Sequence, residues 1–408
     1  MRCGLLGGKL GHSYSPQIHS HLGDYSYTLF EHTQDTLADF LEHGDFTGLN
    51  VTIPYKKDVI AYCDSLSPVA QQLGAVNTIV KQADGTLIGH NSDLFGFFSL
   101  LQYSGINVVG KKVLVLGSGG ASNTAVFALS ELGADVVVIS RTGQNNYSNL
   151  DRHEDAAVIV NTTPVGMYPN VGISPVDLKV FPNLKGVFDL IYNPSKTQLL
   201  LDAETLRIPC WNGLWMLVAQ AVESARWFTG SNIADTIIPN IHHNLRQQME
   251  NIVLIGMPGC GKSTIGKLLS QQLNRQFFDV DACIEEEAGC TIPEIIEARG
   301  EDAFRVLESK VLQRLGKRSG AIIATGGGCI TRQENYRHLH QNGTIVWIQR
   351  EITSLATEGR PLSHRNSLEH LYTNRAPAYQ AFADIIVENN GYPEDAVHRI
   401  CEKLEVDI

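Results

Sequence analysis

The chain has 408 residues, 43% hydrophobic and 18% charged, and Lys+Arg 32 against Asp+Glu 43 leaves a net charge of −11. At roughly 150 residues per domain this length predicts two to three domains with packed cores, and the composition excludes a mainly disordered chain. An acidic surface repels phosphate backbones and anionic lipid, so nucleic acid and membrane are excluded as main partners, and any bound anion falls to local basic groups.

Residues 1–7 are too short an apolar stretch for a signal peptide, and no window reaches the ~18 apolar residues of a membrane span. The best run, 215–222, is broken by Gln220. The 8 cysteines form no CxxC pair, a pattern of reduced thiols that predicts a cytoplasmic protein. Short apolar runs closed by glycine recur at 113–116, 136–139, 252–255 and 322–324, each followed by a helical stretch, which predicts parallel sheets in α/β layers. The boundary falls between Pro239 and Glu250. There the polar stretch 240–250 reads equally as a helix end or a short linker, and it divides the chain into 1–245 and 246–408.

Four polar turns precede the first glycine loop: Ser13-Tyr14-Ser15-Pro16 after His12, Asn50-Val51-Thr52-Ile53-Pro54-Tyr55-Lys56, Gly74-Ala75-Val76-Asn77-Thr78, and Gly89-His90-Asn91-Ser92-Asp93. Singly, each is a capped turn. Together they suggest a pocket for a substrate rich in hydroxyls. The loop Gly117-Ser118-Gly119-Gly120-Ala121, between a strand and a helix, lets backbone N–H groups approach a pyrophosphate, although Ser122 stands where a third glycine is usual. The next strand ends in Ser140-Arg141, and a guanidinium there binds a 2′-phosphate where a carboxylate would repel it, predicting NADP(H) over NAD(H).

In the second half, Gly256-Met257-Pro258-Gly259-Cys260-Gly261-Lys262-Ser263-Thr264 fits the P-loop pattern, with a strand before it and a helix over 265–273 after it. Its backbone cradles phosphates, Lys262 reaches the β and γ oxygens of ATP, and Ser263 ligates Mg²⁺. Asp279 and Asp281, at i and i+2, read as two carboxylates on one side of a strand end. One holds Mg²⁺ through water and the other takes a proton from an acceptor hydroxyl. Arg305 and Arg375 suit a carboxylate on the acceptor, though Arg305 also fits a pair with Glu301 or Glu308 on one helix face. Glycines 326–328 permit close approach of a small ring, and Arg360 is placed to reach the transferring phosphoryl.

Residues 1 to about 240 resemble shikimate dehydrogenase along that whole half, through the turns above, Asn161-Thr162-Thr163-Pro164-Val165-Gly166-Met167, Asp189-Leu190-Ile191-Tyr192-Asn193-Pro194 and the segment 213–220. The resemblance implies a substrate domain (1–95 with about 215–240) and a Rossmann NADP-binding domain (96–214). It implies that Ser13, Ser15, Thr52, Asn77, Tyr192 and Gln220 bind substrate, that Lys56 and Asp93 form the catalytic pair, and that Leu190 and Gly213 join the cofactor site. Asp93 also reads as a helix N-cap. Ser92 stands where that family usually has Thr, and Asn145 where many NADP-using members have a second basic residue.

Residues from about 250 to 408 resemble shikimate kinase, a P-loop domain with a parallel sheet between helices. That implies shikimate binding by Asp281, Arg305, Gly327, Gly328 and Arg375, catalysis by Asp281, Lys262 and Arg360, and ATP binding by the P-loop and Arg360. The segment ending in Glu358-Gly359 lacks an arginine common in that family, so the lid looks shortened. The two resemblances together imply a bifunctional enzyme that reduces 3-dehydroshikimate to shikimate with NADPH and phosphorylates shikimate with ATP and Mg²⁺. Two other readings stay open: one half serves as a binding or regulatory module, or the substrate is quinate or another small hydroxy acid.

Overall fold

The computed structural model describes residues 1–11, 13–355 and 365–406. The chain forms two compact units, Met1–Tyr192 with Thr197–Leu245, and Asn193–Lys196 with Arg246 onward.

The first unit holds two sheets. One is built from β1 (Arg2–Gly7), β2 (Ser26–Glu31), β3 (Gly48–Val51), β4 (Ser65–Leu66), β5 (Thr78–Lys81) and β6 (Leu87–His90), in the spatial order β2-β1-β3-β5-β6-β4. Here the expectation of parallel sheets is corrected, because β5 runs antiparallel to both β3 and β6. The link 82–86 is too short for a crossover, and it turns on Gly85 at φ +90° with Gln82 N–H donating to Thr86 O at 2.8 Å. Such a turn returns the chain antiparallel, whereas a parallel neighbour needs a dozen or more linking residues.

The other sheet is parallel throughout: β7 (Lys112–Leu116), β8 (Asp135–Ile139), β9 (Val158–Asn161), β10 (Gly186–Asp189) and β11 (Cys210–Trp211), in the order β11-β10-β9-β7-β8. Val113, Leu114, Val115 and Leu116 are fully buried, as a strand covered by helices on both faces requires. Helices Asp93–Ser104 and Leu214–Thr229 pack together so closely that a Cβ on Gly96 would lie 2.8 Å from the Met216 carbonyl oxygen. Through this packing the second helix brings Gln220 and Ser224 back to the first sheet.

The polar stretch 240–250 falls almost wholly within a helix, Ile237–Met249, so it is no flexible linker. In the second unit β12 (Asn251–Ile255), β13 (Phe277–Asp279), β14 (Ile322–Ala324), β15 (Gly343–Gln349) and β16 (Ile385–Glu388) form a parallel sheet ordered β13-β14-β12-β15-β16. The helix after its glycine loop, Lys262–Leu273, starts earlier than predicted, because Gly261 at φ +101° turns the chain directly into it. All eight cysteines are free thiols. Among the described residues no helix is long and apolar enough to cross a membrane.

Candidate active sites

Lys56 follows the turn that closes β3, and Asp93 opens the helix Asp93–Ser104. The Lys56 Nζ donates to Asp93 Oδ2 at 2.6 Å, with the two side chains 29% and 15% exposed. Asp93 is not the N-cap that the sequence also allowed. Ser92 occupies that position, and the Asp93 N–H donates to Asn91 Oδ1 at 3.0 Å. Asp93 is the first residue of that helix.

Beside this pair lies a buried polar network. Asn77 Oδ1 accepts from the Ser92 N–H at 2.7 Å, and Asn77 Nδ2 donates to Ser92 Oγ at 3.0 Å. The backbone donor fixes the amide orientation. Ser92 Oγ also donates to Gln220 Oε1 at 3.2 Å, while Gln220 Nε2 donates to Leu217 O at 2.8 Å. Gln220 is therefore held at both ends of its amide. Ser224 Oγ lies 3.0 Å from both Thr78 Oγ1 and Ser92 Oγ, and it accepts from Asn50 Nδ2 at 2.7 Å. Tyr27 donates to Asn50 Oδ1 at 2.7 Å.

Sequence reasoning did not single out Ser224, and it named Asn50 only as the start of the turn that ends in Lys56. The signal for Asn50 is an amide in an otherwise apolar, buried strand, Gly48–Val51; Ser224 gives none. Ser13 Oγ accepts from the Ser15 N–H at 3.2 Å, so these two predicted groups sit in one turn. Between them Tyr14 meets Tyr192 edge to face, with ring centroids 6.3 Å apart. Burial raises the Tyr192 phenol above its ordinary value, which keeps it a neutral donor. Thr52 directly follows β3, its N–H donating to Leu6 O at 2.9 Å. His12 lies outside the described residues.

The dinucleotide loop opens onto a cavity of about 630 Å³ lined by Gly117, Ser118, Gly119, Arg141, Thr162 and Thr163 among others. Gly117 sits at φ +110°, and a Cβ there would lie 2.8 Å from Thr162 Oγ1. Gly119 and Gly120 have nothing within 4 Å of a Cβ position, so backbone faces open space where a pyrophosphate would approach. Ser122, in place of the third glycine, donates its hydroxyl to Gly117 O at 2.8 Å and braces the loop. Gly120 and Ala121 belong to the first turn of the helix behind the loop. Leu190 and Gly213 do not line this cavity. They touch each other, with the Leu190 carbonyl against the Gly213 Cα.

Beneath the pocket, Asp189 is a further residue that sequence reasoning left without a role. Its Oδ1 accepts from Asn161 Nδ2 at 3.0 Å and from the Ile191 N–H at 3.1 Å, and its Oδ2 accepts from Thr197 Oγ1 at 2.6 Å. Asn161 Oδ1 in turn accepts from Thr163 Oγ1 at 2.7 Å. Full burial pushes the Asp189 carboxyl up to about 7.

In the second unit Gly256, Gly259 and Gly261 all take positive φ, so the P-loop needs glycine at each. The Lys262 ammonium donates to Gly256 O at 2.9 Å and Met257 O at 3.0 Å, curled over the loop that would hold phosphates. Asp279 and Asp281 are not a pair on one strand end. The strand stops at Asp279, which caps the helix Val280–Ala288 and accepts from the Asp281 N–H at 3.1 Å. Asp281 is thus in the first helical turn. Ser263 Oγ donates to Asp279 Oδ2 at 2.6 Å, which brings together two oxygen donors suited to Mg²⁺. No group of three or more His, Cys, Asp and Glu gathers around a metal position among the described residues, so Mg²⁺ here would rely on nucleotide oxygens and water as well.

The acceptor residues converge. Arg305 donates to Glu308 Oε2 at 2.8 Å and to Glu301 Oε1 at 3.1 Å, so both helical pairings form. The same guanidinium lies against Gly328, and a Cβ on Gly326 would be 2.8 Å from both Asp281 Oδ1 and Glu308 Oε1. Glu308 is fully buried, and burial raises its carboxyl against the pull of Arg305. Gly327 O accepts from Arg375 Nη1 at 3.1 Å and from the Tyr379 hydroxyl at 2.5 Å. These side chains press directly on the glycine turn. Arg360 and the segment around Glu358 lie outside the described residues.

A glycine-turn dinucleotide pocket in one unit with a lysine–carboxylate pair defines a nicotinamide-dependent oxidoreductase, and a P-loop with an arginine–carboxylate clamp defines a small-molecule phosphotransferase. Two family models match the chain: Shikimate dehydrogenase substrate binding domain over residues 5–79, and Shikimate kinase over 258–405. A shikimate dehydrogenase (NADP(+)) from Caldicellulosiruptor bescii is 37% identical over 267 residues, spanning 58% of this chain and 92% of its own length. The crystal structure of a shikimate dehydrogenase from Peptoclostridium difficile matches with a TM-score of 0.55 at 37% identity, covering 60% of this chain and 97% of that one. A shikimate 5-dehydrogenase from Thermus thermophilus, in complex with NADP(H) and shikimate, matches with a TM-score of 0.55 at 32% identity, covering 60% and 99%. The chain belongs to the shikimate dehydrogenase family and carries a shikimate kinase domain behind it, which makes it a bifunctional enzyme of the shikimate pathway.

Proposed function

We propose that the first unit reduces 3-dehydroshikimate to shikimate with NADPH, and that the second phosphorylates that shikimate with ATP and Mg²⁺. The observation that carries the first assignment is the Lys56–Asp93 contact of 2.6 Å. Bound NADPH would supply the hydride for the ring ketone. The Lys56 ammonium, aimed by Asp93, donates its proton to the developing alkoxide oxygen and regains one from solvent. Ser13 and Ser15 hold the substrate carboxylate, while Thr52, Asn77, Tyr192 and Gln220 hold carboxylate or ring hydroxyls.

In the kinase, Arg305 and Arg375 bind the carboxylate against the turn at Gly327 and Gly328, and Asp281 orients the acceptor hydroxyl and receives its proton. Lys262 follows the phosphoryl oxygens, Ser263 and Asp279 hold Mg²⁺, and Arg360 completes the ATP site. The enzyme divides functionally at 245/246, acts on small molecules and works in the cytosol. A coupled assay of the full chain tests this: NADPH oxidation and ADP release are followed together with 3-dehydroshikimate, then with quinate or shikimate supplied directly. The reading stands if Lys56→Ala abolishes only reduction and Lys262→Ala only ADP release. It falls for either unit whose wild-type signal is absent.

A further inference from the structure

The residue after Arg141 where a second cation would grip a 2′-phosphate is Asn145, and the structure directs it elsewhere. The Asn145 carbonyl accepts from the Ser140 N–H at 3.2 Å, and Asn145 Oδ1 lies 3.2 Å from His153 Nε2. Its side chain is committed to the floor of its own loop, and Asn145 does not line the dinucleotide cavity. Tyr147, two residues on, does line it, together with Ser140 and Arg141. The Tyr147 ring is half-buried and packs against the apolar cluster of Leu116, Ile139 and Leu178, which fixes its position. Its hydroxyl bonds to no described residue and is not enclosed. Tyr147 therefore carries an unspent O–H donor and lines the same cavity as Arg141.

We propose that Tyr147 is a specificity-determining residue: its hydroxyl donates to the 2′-phosphate of NADP(H) beside the Arg141 guanidinium, in the place of a second basic side chain. The inference rests on the reading that this cavity takes NADP(H). Burial raises the Tyr147 phenol against the pull of the Arg141 guanidinium, which keeps the group a neutral donor. A phosphate monoester offers three strongly accepting oxygens. A guanidinium fork satisfies two of them and leaves one for a hydroxyl. NAD⁺ has a 2′-hydroxyl at that position, so losing the Tyr147 donor touches NADP⁺ alone.

The test is calorimetric titration of NADP⁺ and of NAD⁺ into the full chain, without substrate or turnover. Tyr147→Phe keeps the ring and its packing. It is expected to weaken NADP⁺ about tenfold, the worth of a hydrogen bond to a charged group, and to leave NAD⁺ unchanged. Asn145→Ala is expected to leave both unchanged. Equal weakening of both nucleotides by Tyr147→Phe, or no weakening, overturns the proposal, as does loss of NADP⁺ affinity in Asn145→Ala. A wild-type chain that binds NAD⁺ as tightly as NADP⁺ overturns the cofactor reading itself, and the proposal with it.

Discussion

Lys56 and Asp93 meet at 2.6 Å across a separation of 37 residues, and the backbone between them accounts for it. The Val76 N–H donates to Lys56 O at 2.8 Å, and the Asn77 N–H donates to His90 O at 3.1 Å. Two strand-end hydrogen bonds thus pin the lysine turn and the start of the Asp93 helix to the same residues. The pair is set by the sheet, not by chance rotamers. Lys56→Ala should lower kcat for reduction by about 10²–10⁴-fold, the range for losing a positioned proton donor, with shikimate phosphorylation unchanged. Equal loss of both activities in steady-state assays would mean that the substitution unfolds the chain.

Ser92 and Ser224 predict a different signature. Each hydroxyl is fully buried and serves several partners, so an alanine leaves amides or hydroxyls unpaired in the dry interior around Gln220 and Asn77. Ser92→Ala and Ser224→Ala should each raise KM for 3-dehydroshikimate about tenfold, roughly 1.4 kcal/mol, with KM for NADPH unmoved. Because both act on one network, the double variant should fall short of the product of the two effects. Strictly multiplicative KM changes would show that the two serines act separately.

The P-loop is legible because its chemistry is local: glycines, lysine and serine lie within nine consecutive positions and need only a strand before and a helix after. The parallel second and third sheets are legible for a similar reason, since strands covered on both faces must be apolar throughout. The first sheet escapes that logic. Its reversal at β5 depends on one short turn, and a two-sided apolar run looks the same in either direction. Asp279 misleads because an Asp that ends a strand and an Asp that caps a helix are one residue in two roles. Asn50 and Ser224 are 174 residues apart, and no pattern in either neighbourhood announces the other. Ser122 departs from the glycine fingerprint, yet its hydroxyl satisfies the very loop that the glycines shape.

Gly328 offers a test of the kinase clamp that spares the backbone. Its φ of −103° suits alanine, and the three atoms nearest a Cβ there all belong to the Arg305 guanidinium. Gly328→Ala should displace the end of a flexible side chain and leave the fold intact. KM for shikimate in the kinase reaction is expected to rise about tenfold, and KM for ATP to stay the same. Arg305→Ala should do likewise, and Gly328→Ala added to it should cost little more. An unchanged shikimate KM in Gly328→Ala would remove Arg305 from the acceptor site.

Asp189 ties proton binding to stability. Its carboxyl is raised to about 7 by burial, well above the ~3.9 of an unfolded chain. Between those values the folded state holds a proton that the unfolded state has released, so stability falls as pH rises through that window and levels off above about 7. Every tenfold difference in proton affinity between the two states corresponds to roughly 1.4 kcal/mol, and burial keeps the carboxyl raised even though three hydrogen bonds pull it down. Asp189→Asn, which cannot ionise, should flatten this dependence. Urea unfolding of the dehydrogenase unit at pH 5 and pH 8 would read it as a wild-type decrease of a few kcal/mol that the variant lacks. The same ionisation should loosen the pocket, since Asp189 orients Asn161 and Asn161 holds Thr163 on the cavity wall. NADP⁺ affinity in the variant should therefore lose its pH dependence near neutrality along with the stability slope. A stability slope that persists unchanged in Asp189→Asn would assign it to other carboxyls.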